Sequence, residues 1–311
     1  MGRVLKKHPR DSYYVATKFP GFDAKNFENK EEIFNRQLEK LQVEYFDFYL
    51  CHNVTERNVD GFMSEDYQLV PYLLEQKKAG KIRHLGFSTH GTLATMRRFL
   101  EAWGHEMEFC QIQLNWLDWE LQNAKAKVEL LKEFNIPVWV MEPVRGGKLV
   151  NLDEGTVEKL NAIRPGVGTP EWAFRFLQSI PEVTMVLSGM SNDEQLADNI
   201  RTFETEQSLN ETEWNAVLDM AKEMIARNKV PCTACRYCTE KCPKGLNIPQ
   251  LLEVYSDPLR PAGGKIPKAS LSWLDEDKRP TACIGCRSCE AVCPQNILIS
   301  EVLADFADRL V

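Results

Sequence analysis

The 311-residue chain has little that would tie it to a membrane or to a polyanion. No apolar run approaches the ~20 residues needed to span a bilayer. The start, Met1 to Arg10, is polar and basic and lacks the apolar stretch of a secretory signal. Basic charge is in deficit: 45 acidic residues against 38 Lys and Arg give a net charge of −7. A nucleic-acid surface would want clustered Lys and Arg, so that class of partner is excluded. Cysteine is scarce through the first 229 residues. Only Cys51 and Cys110 occur there, each alone in an apolar run, and they read as buried small hydrophobes. What remains, 43% hydrophobic and 27% charged, is an ordinary globular composition.

The eight other cysteines are concentrated near the C-terminus in two copies of one signature. Cys232, Cys235, Cys238 and Cys242 are followed by Pro243; Cys283, Cys286, Cys289 and Cys293 are followed by Pro294. Both copies read C-x2-C-x2-C-x3-C-P, the run that holds 4Fe-4S clusters in bacterial two-cluster ferredoxins. Three thiolates spaced i, i+3 and i+6 can wrap one face of a cubane. The fourth, ahead of a helix-incompatible proline, typically reaches the other cluster. The expected sets are Cys232, Cys235 and Cys238 with Cys293, and Cys283, Cys286 and Cys289 with Cys242. Zinc would need only paired C-x2-4-C units, leaving a third cysteine surplus in each copy. Disulfides would suit a small secreted domain, which the polar start argues against. Residues 230–311 balance ten acids against ten bases, so the acidic excess lies upstream. Clusters open to air are oxidised, and a reducing cytoplasm is the natural compartment.

Upstream of about Arg227, short β-rich runs alternate with amphipathic stretches. The predicted strands are Tyr13–Lys18, Tyr45–Cys51, Arg83–Ser88, Phe109–Leu114, Pro137–Met141 and Thr184–Ser188. Helical spacing marks Glu31–Leu41, through Ile33, Phe34, Leu38 and Leu41. It also marks Asp193–Phe203, through Leu196, Ile200 and Phe203 with Asn192 as N-cap. Such alternation means right-handed βαβ units on a parallel sheet. Runs such as Phe48-Tyr49-Leu50-Cys51 lack polar alternation and fit burial on both faces. A further helix, Glu211–Ala226, opens with a capping box of Asn210 and Glu213. The domain boundary falls near Asn228–Pro231, giving residues 1–229 and 230–311. The forty residues between Cys242 and Cys283 hold a probable helix, Ile248–Tyr255, and a Pro/Gly-rich loop, Asp257–Lys268. They point to a mainly helical dicluster domain. Six strand–helix units fall short of the eight of a closed (β/α)8 barrel, so the sheet is open or two units are absent.

The strand ends carry a resemblance. Val15-Ala16-Thr17-Lys18, Asp47 to His52, Lys81 to Ser88, Gln111 to Asn115, Glu142 to Leu149, and Ser188-Gly189-Met190-Ser191 with Gln195 and Asn199 follow one another in order. In that order they resemble the aldo-keto reductases, NAD(P)-dependent (β/α)8 barrels, and the ferredoxin-like tail makes the chain similar to an iron–sulfur member. The resemblance implies a barrel lacking its first two strand–helix units. It also implies catalytic roles for Lys18 and His52, two of a tetrad completed by an Asp and a proton-donating Tyr. Those two belong to a segment ahead of Gly2-Arg3-Val4-Leu5-Lys6, so the chain reads as truncated at its N-terminus or begun at a misplaced start. Gln113 and Asn115 would hold the nicotinamide carboxamide, or cap the strand.

The stretch from Ser188 to Asn199 has its own case for a phosphate. A strand runs through Gly189 into a helix opening at Asn192, and a helix N-terminus presents unpaired N–H groups. Gly189, Ser191, Gln195 and Asn199 are the cofactor-binding candidates, against a reading as plain helix capping beside Asp193 and Glu194. No Lys or Arg stands next to Ser191, although Arg201 is near, so NAD and NADP both stay open. Asp47 reads as structural, His84 and His90 as ordinary polar residues, and Trp116 and Trp119 as packing or a substrate mouth. The expectation is an NAD(P)-linked oxidoreductase of a carbonyl or alcohol, coupled to a two-cluster electron-transfer domain and, through it, to a redox protein. The alternative is an electron carrier whose inactive barrel scaffolds the clusters.

Overall fold

A computed structural model describes residues 1–227, 230–256 and 264–311. The expected boundary at 228–229 and the first seven residues of the Pro/Gly-rich loop, 257–263, lie outside them. The strands are β1 (Ala16–Phe19), β2 (Phe46–Val54), β3 (Ile82–Thr89), β4 (Cys110–Gln113), β5 (Val138–Met141) and β6 (Val183–Val186). The longer helices are α1 (Lys30–Leu41), α2 (Leu69–Lys78), α3 (Leu93–Trp103), α4 (Ala124–Glu133) and α5 (Glu154–Ile163). They continue with α6 (Thr169–Gln178), α7 (Asp193–Glu204), α8 (Glu211–Arg227), α9 (Ile248–Tyr255) and α10 (Ile299–Arg309).

The six strands form one parallel sheet in chain order, β1 to β6, with β1 and β6 at its edges. This is a partial (β/α)8 barrel. Register sorts the side chains. Lys18 pairs Leu50 and Leu50 pairs Gly86, while Ser88 pairs Gln111 and Gln111 pairs Trp139. Paired residues of a parallel ladder share a face, so Lys18, Phe48, Leu50 and, by alternation, His52 look the same way. That face is packed with aromatics lower down. Phe109 stacks on Trp139 at 4.0 Å, and Phe48 meets Trp139 at 4.7 Å. Gly86 permits this approach, because a Cβ there would lie 2.5 Å from the Phe109 carbonyl oxygen. The opposite face packs on helices: Phe34 of α1 contacts Tyr49 at 5.2 Å, and the Tyr49 hydroxyl donates to Gln37 at 2.7 Å. Each such fully buried aromatic contributes roughly 1.5–3 kcal/mol. Beneath the sheet, Asp47 accepts from Arg10, Arg83 and the Val15 N–H, which bears out its structural reading.

Helix α7 forms where its cap requires, with Asn192 Oδ1 accepting from Gln195 N at 2.9 Å. Its predicted apolar stripe, however, stays about half exposed at Leu196, Ile200 and Phe203. The reason is topological: β6 ends the sheet, and among the described residues no further strand continues it.

The chain forms two compact units, Met1–Pro143 with Phe174–Leu209, and Val144–Ala173 with Asn210–Val311. The second draws in the segment after β5. Arg164 pairs with Glu213 at 2.6 Å, Lys159 bonds Glu223 at 2.8 Å, and the buried Arg145 donates to the Pro231 carbonyl at 3.2 Å. The capping box at α8 is reciprocal, Asn210 N to Glu213 and Glu213 N to Asn210, both 3.0 Å. Around the cysteine loops, Leu246, Ile248, Leu251, Leu252, Leu303 and Phe306 form a separate apolar core.

Candidate functional site

The cysteine loops repeat in geometry as well as sequence. Each cysteine of the first copy recurs 51 positions on, Cys232 at Cys283 and Cys242 at Cys293. Positive φ recurs with it, at Ala234 (57°) and Gly285 (66°), Arg236 (66°) and Arg287 (59°), and Gly245 (61°) and Asn296 (51°). Left-handed backbone at non-glycine residues is costly. Here it turns main-chain N–H groups toward sulfur: Ala234 N donates to Cys232 Sγ at 3.4 Å and Leu246 N to Cys242 Sγ at 3.5 Å. Two cavities result. One is lined by Cys232, Cys235, Cys238 and Cys293, the other by Cys283, Cys286, Cys289 and Cys242. The structure thus brings the eight thiols together in the crossed grouping expected from the signature.

The chemistry of these sets fits a polynuclear cation. Burial, then the neighbouring Cys232, Cys235 and Cys293, pushes the Cys238 thiol up to about 12. Burial likewise takes Cys289 to about 11 and raises Cys293, which feels Cys235 and Cys232 across the cavity. The exposed Cys286 goes down, chiefly through the Ser288 N–H. Four adjacent thiolates repel one another unless a cation sits among them. Among the described residues no group of three His, Cys, Asp or Glu could hold a single metal ion. The thiols surround volumes rather than a point, which favours a cubane over zinc.

At the strand ends, Lys18 and His52 stand on neighbouring strands of the same face. Burial lowers the Lys18 pKa, and burial with Lys18 lowers that of His52 to about 4. The His52 ring meets Phe22 edge-on at 5.2 Å. His90, just past β3, joins this group. Burial first, then Lys127, His52 and Lys18, brings it down to about 3. Lys127 of α4 is 9% exposed, its pKa lowered by burial against the pull of Cys110, Asp118 and Glu56. Glu56 is raised by burial, but hydrogen bonds from Thr92 N (2.6 Å) and Thr95 Oγ1 (2.8 Å) outweigh this and hold it at about 2. Four basic side chains therefore share one field. Reading His90 as an ordinary polar residue is corrected here, and Lys127 had no signal in the sequence. His84, by contrast, simply bonds Glu108 at 2.7 Å.

Residues 1–221 match the aldo/keto reductase family, and residues 231–298 match the 4Fe-4S dicluster domain. The chain belongs to the aldo/keto reductase family. Among solved structures it is similar to an aldo-keto reductase from Bacillus halodurans at 22% identity and TM-score 0.56, covering 70% of this chain and 75% of that one. It is also similar to one from Brucella melitensis at 20% identity and TM-score 0.53, covering 70% and 78%. A 94-residue stretch is 34% identical to L-galactose dehydrogenase of Arabidopsis thaliana, spanning 28% of each protein. The chain is thus an oxidoreductase-family barrel joined to an iron–sulfur domain, and no described helix is long and apolar enough to cross a membrane.

In this aldo/keto reductase, the remaining candidates are held by internal bonds. Gln113 and Asn115 both donate to Asp118 at 2.7 Å, and Asn115 also donates to the Glu142 carbonyl at 2.9 Å. Its Oδ1 accepts from Leu117 N and Asp118 N, so Asn115 frames the loop after β4 from within. After β6, Gln195 Oε1 accepts from Ser191 N at 2.8 Å, and Asn199 donates to Ser188 Oγ at 2.9 Å. Nothing lies within 4 Å of a Cβ built on Gly189. The Gln195 and Asn192 oxygens take up the Ser191 and Gln195 N–H groups at the start of α7. Trp116 is buried and Trp119 packs on Phe176 at 5.6 Å, which makes both packing residues.

Proposed function

We propose that the chain is an NAD(P)-linked oxidoreductase acting on a carbonyl or alcohol, coupled to a unit that carries two 4Fe-4S clusters. The carrying observation is the pair Lys18 and His52, placed by register on one face at adjacent strand ends, where barrel chemistry gathers. His52, held neutral by burial and Lys18, bonds the substrate oxygen through a ring nitrogen. The Lys18 ammonium lies beside it and stabilises negative charge developing on that oxygen. A nicotinamide bound there would supply hydride to the carbonyl carbon, the resulting alkoxide taking its proton from solvent water, or would accept hydride in the reverse direction. Ser191, Gln195 and Asn199, beside Gly189, receive the nucleotide's phosphate end at α7, while Gln113 and Asn115 set the loop against its ring. Cys232, Cys235, Cys238 and Cys293 hold one cluster, and Cys242, Cys283, Cys286 and Cys289 the other. A reducing cytoplasm and a one-electron partner protein complete the reading.

A second reading, an electron carrier with an inactive barrel, is favoured by the already satisfied Ser191 and Gln195 N–H groups. Titrating NADH and NADPH into anaerobic holoprotein separates the two. Saturable quenching of tryptophan fluorescence, weakened at least tenfold by replacing Asn199 and Gln195 with Ala together, is the expected result. Cluster reduction by dithionite without any nucleotide-dependent quenching would leave the carrier reading standing.

A further inference from the structure

The 51-residue offset relates the walls of the two cavities as well as their thiols. Most lining positions match in kind across the repeat, and three do not: Thr233 against Ile284, Pro249 against Ser300, and Gln295 against Lys244. The accessible surface differs too. Thr233 is 2% exposed and Ile284 is 59% exposed; Cys235 is half-buried where Cys286 is exposed. Both walls include an arginine, Arg236 in the first and Arg287 in the second; the second adds a lysine, Lys244, and its Ile284 and Cys286 are the more exposed. A second ammonium, that of Lys278, donates to the Lys244 carbonyl at 2.9 Å.

Adding an electron to a thiolate-bound 4Fe-4S cluster makes an anion more negative. Water and cations stabilise that product more than the oxidised form, so exposure and nearby positive charge raise the potential. One group opposes this. Glu290 stands next to Cys289, where the first copy has Thr239. Its Oε1 is taken by the Ser300 N–H at 2.8 Å and hydroxyl at 2.5 Å, and Oε2 faces Arg287 Nε at 4.0 Å. Its charge is largely answered locally, whereas Lys244, the second residue after Cys242, lines the cavity with no acidic counterpart at the matching position, Gln295.

We propose that the two cavities are inequivalent, and that the cluster held by Cys242, Cys283, Cys286 and Cys289 has the higher reduction potential, with Lys244 as the residue that sets the gap. The proposal rests on the reading that both cavities carry 4Fe-4S clusters. It concerns only which of them accepts an electron first from a low-potential donor, each step taking one electron from the mediator couple.

The test is potentiometry followed by EPR on anaerobically purified full-length protein, with iron and labile sulfide counted on the same sample. Eight irons and eight sulfides establish the clusters independently of their order, and fewer than that sinks the underlying reading instead. With the clusters present, two separate reduction steps are expected. Lys244→Gln shifts the upper step down and leaves the lower one in place; Gln295→Lys shifts the lower step up. The double exchange narrows or reverses the gap. Coincident steps in the unaltered protein overturn the proposal, as does a Lys244→Gln variant with full iron content whose lower step moves while the upper one stays.

Discussion

The cysteine cavities and the strand-end rim solve opposite electrostatic problems by the same means. In the cavities, groups that would become anions are kept protonated by burial and by one another, as Cys238 and Cys289 show. At the rim, groups that would become cations are kept neutral by burial and by one another, as His52 and His90 show. Each constellation is held below its full charge until something of the other sign arrives. Iron supplies it on one side, releasing protons as it binds. On the other, an oxyanion or polarised carbonyl oxygen would do so.

The largest test of this contrast is ligand removal. Cys293→Ser should cost about half of the bound iron, because its thiol closes the cavity of Cys232, Cys235 and Cys238. Adding Cys235→Ser should then change nothing further, while adding Cys242→Ser should remove the rest. Iron analysis with EPR reads the result, and equal losses from both double variants would show that each loop closes its own cavity.

On the basic side the contrast is sharpened by pH. Burial, with neighbouring cations, brings His52 down to about 4 and His90 to about 3, below the ordinary imidazole value of about 6.5. The unfolded chain therefore takes up protons below pH 6.5 that the folded rim refuses. Stability from this source is complete above pH 6.5 and declines as pH falls toward 4. Between pH 7 and pH 5 the loss should be roughly 4 kcal/mol. Urea unfolding followed by tryptophan fluorescence measures it, and His90→Gln should remove about half of the dependence. A pH-independent midpoint in the unaltered protein would mean that the two imidazoles are not suppressed. The smallest effect belongs to local structure. Asn210→Ala breaks the capping box at α8 and should cost about 1 kcal/mol, with iron content unchanged.

Much of this arrangement was legible before any coordinates. Runs such as Phe48-Tyr49-Leu50-Cys51 betray strands buried on both faces, and Asn210 with Glu213 names its own helix start. The crossed thiol grouping is the one expected of the C-x2-C-x2-C-x3-C-P run of two-cluster ferredoxins, in which the fourth cysteine serves the other cluster. The illegible parts are those made by distance in the chain. His90 comes from the end of β3 and Lys127 from α4, and no local pattern joins them to Lys18 and His52. The engagement of Gln113 and Asn115 by Asp118 was similarly hidden, because their alternation is the same whether the amides face a ligand or a neighbouring carboxylate. The extent of the second unit was hidden too. Arg164 and Glu213 lie 49 positions apart, and only the fold shows that they pair.

The uncovered β6 edge has a consequence for handling. Met185, Leu187, Met190 and the α7 stripe leave greasy side chains beside a strand that, among the described residues, is paired on one side alone. Such an edge is a template for strand addition between copies. Concentrated samples should cloud or form higher-order species well before the cysteine-bearing half loses its colour, and charged substitutions along that rim offer the simplest remedy.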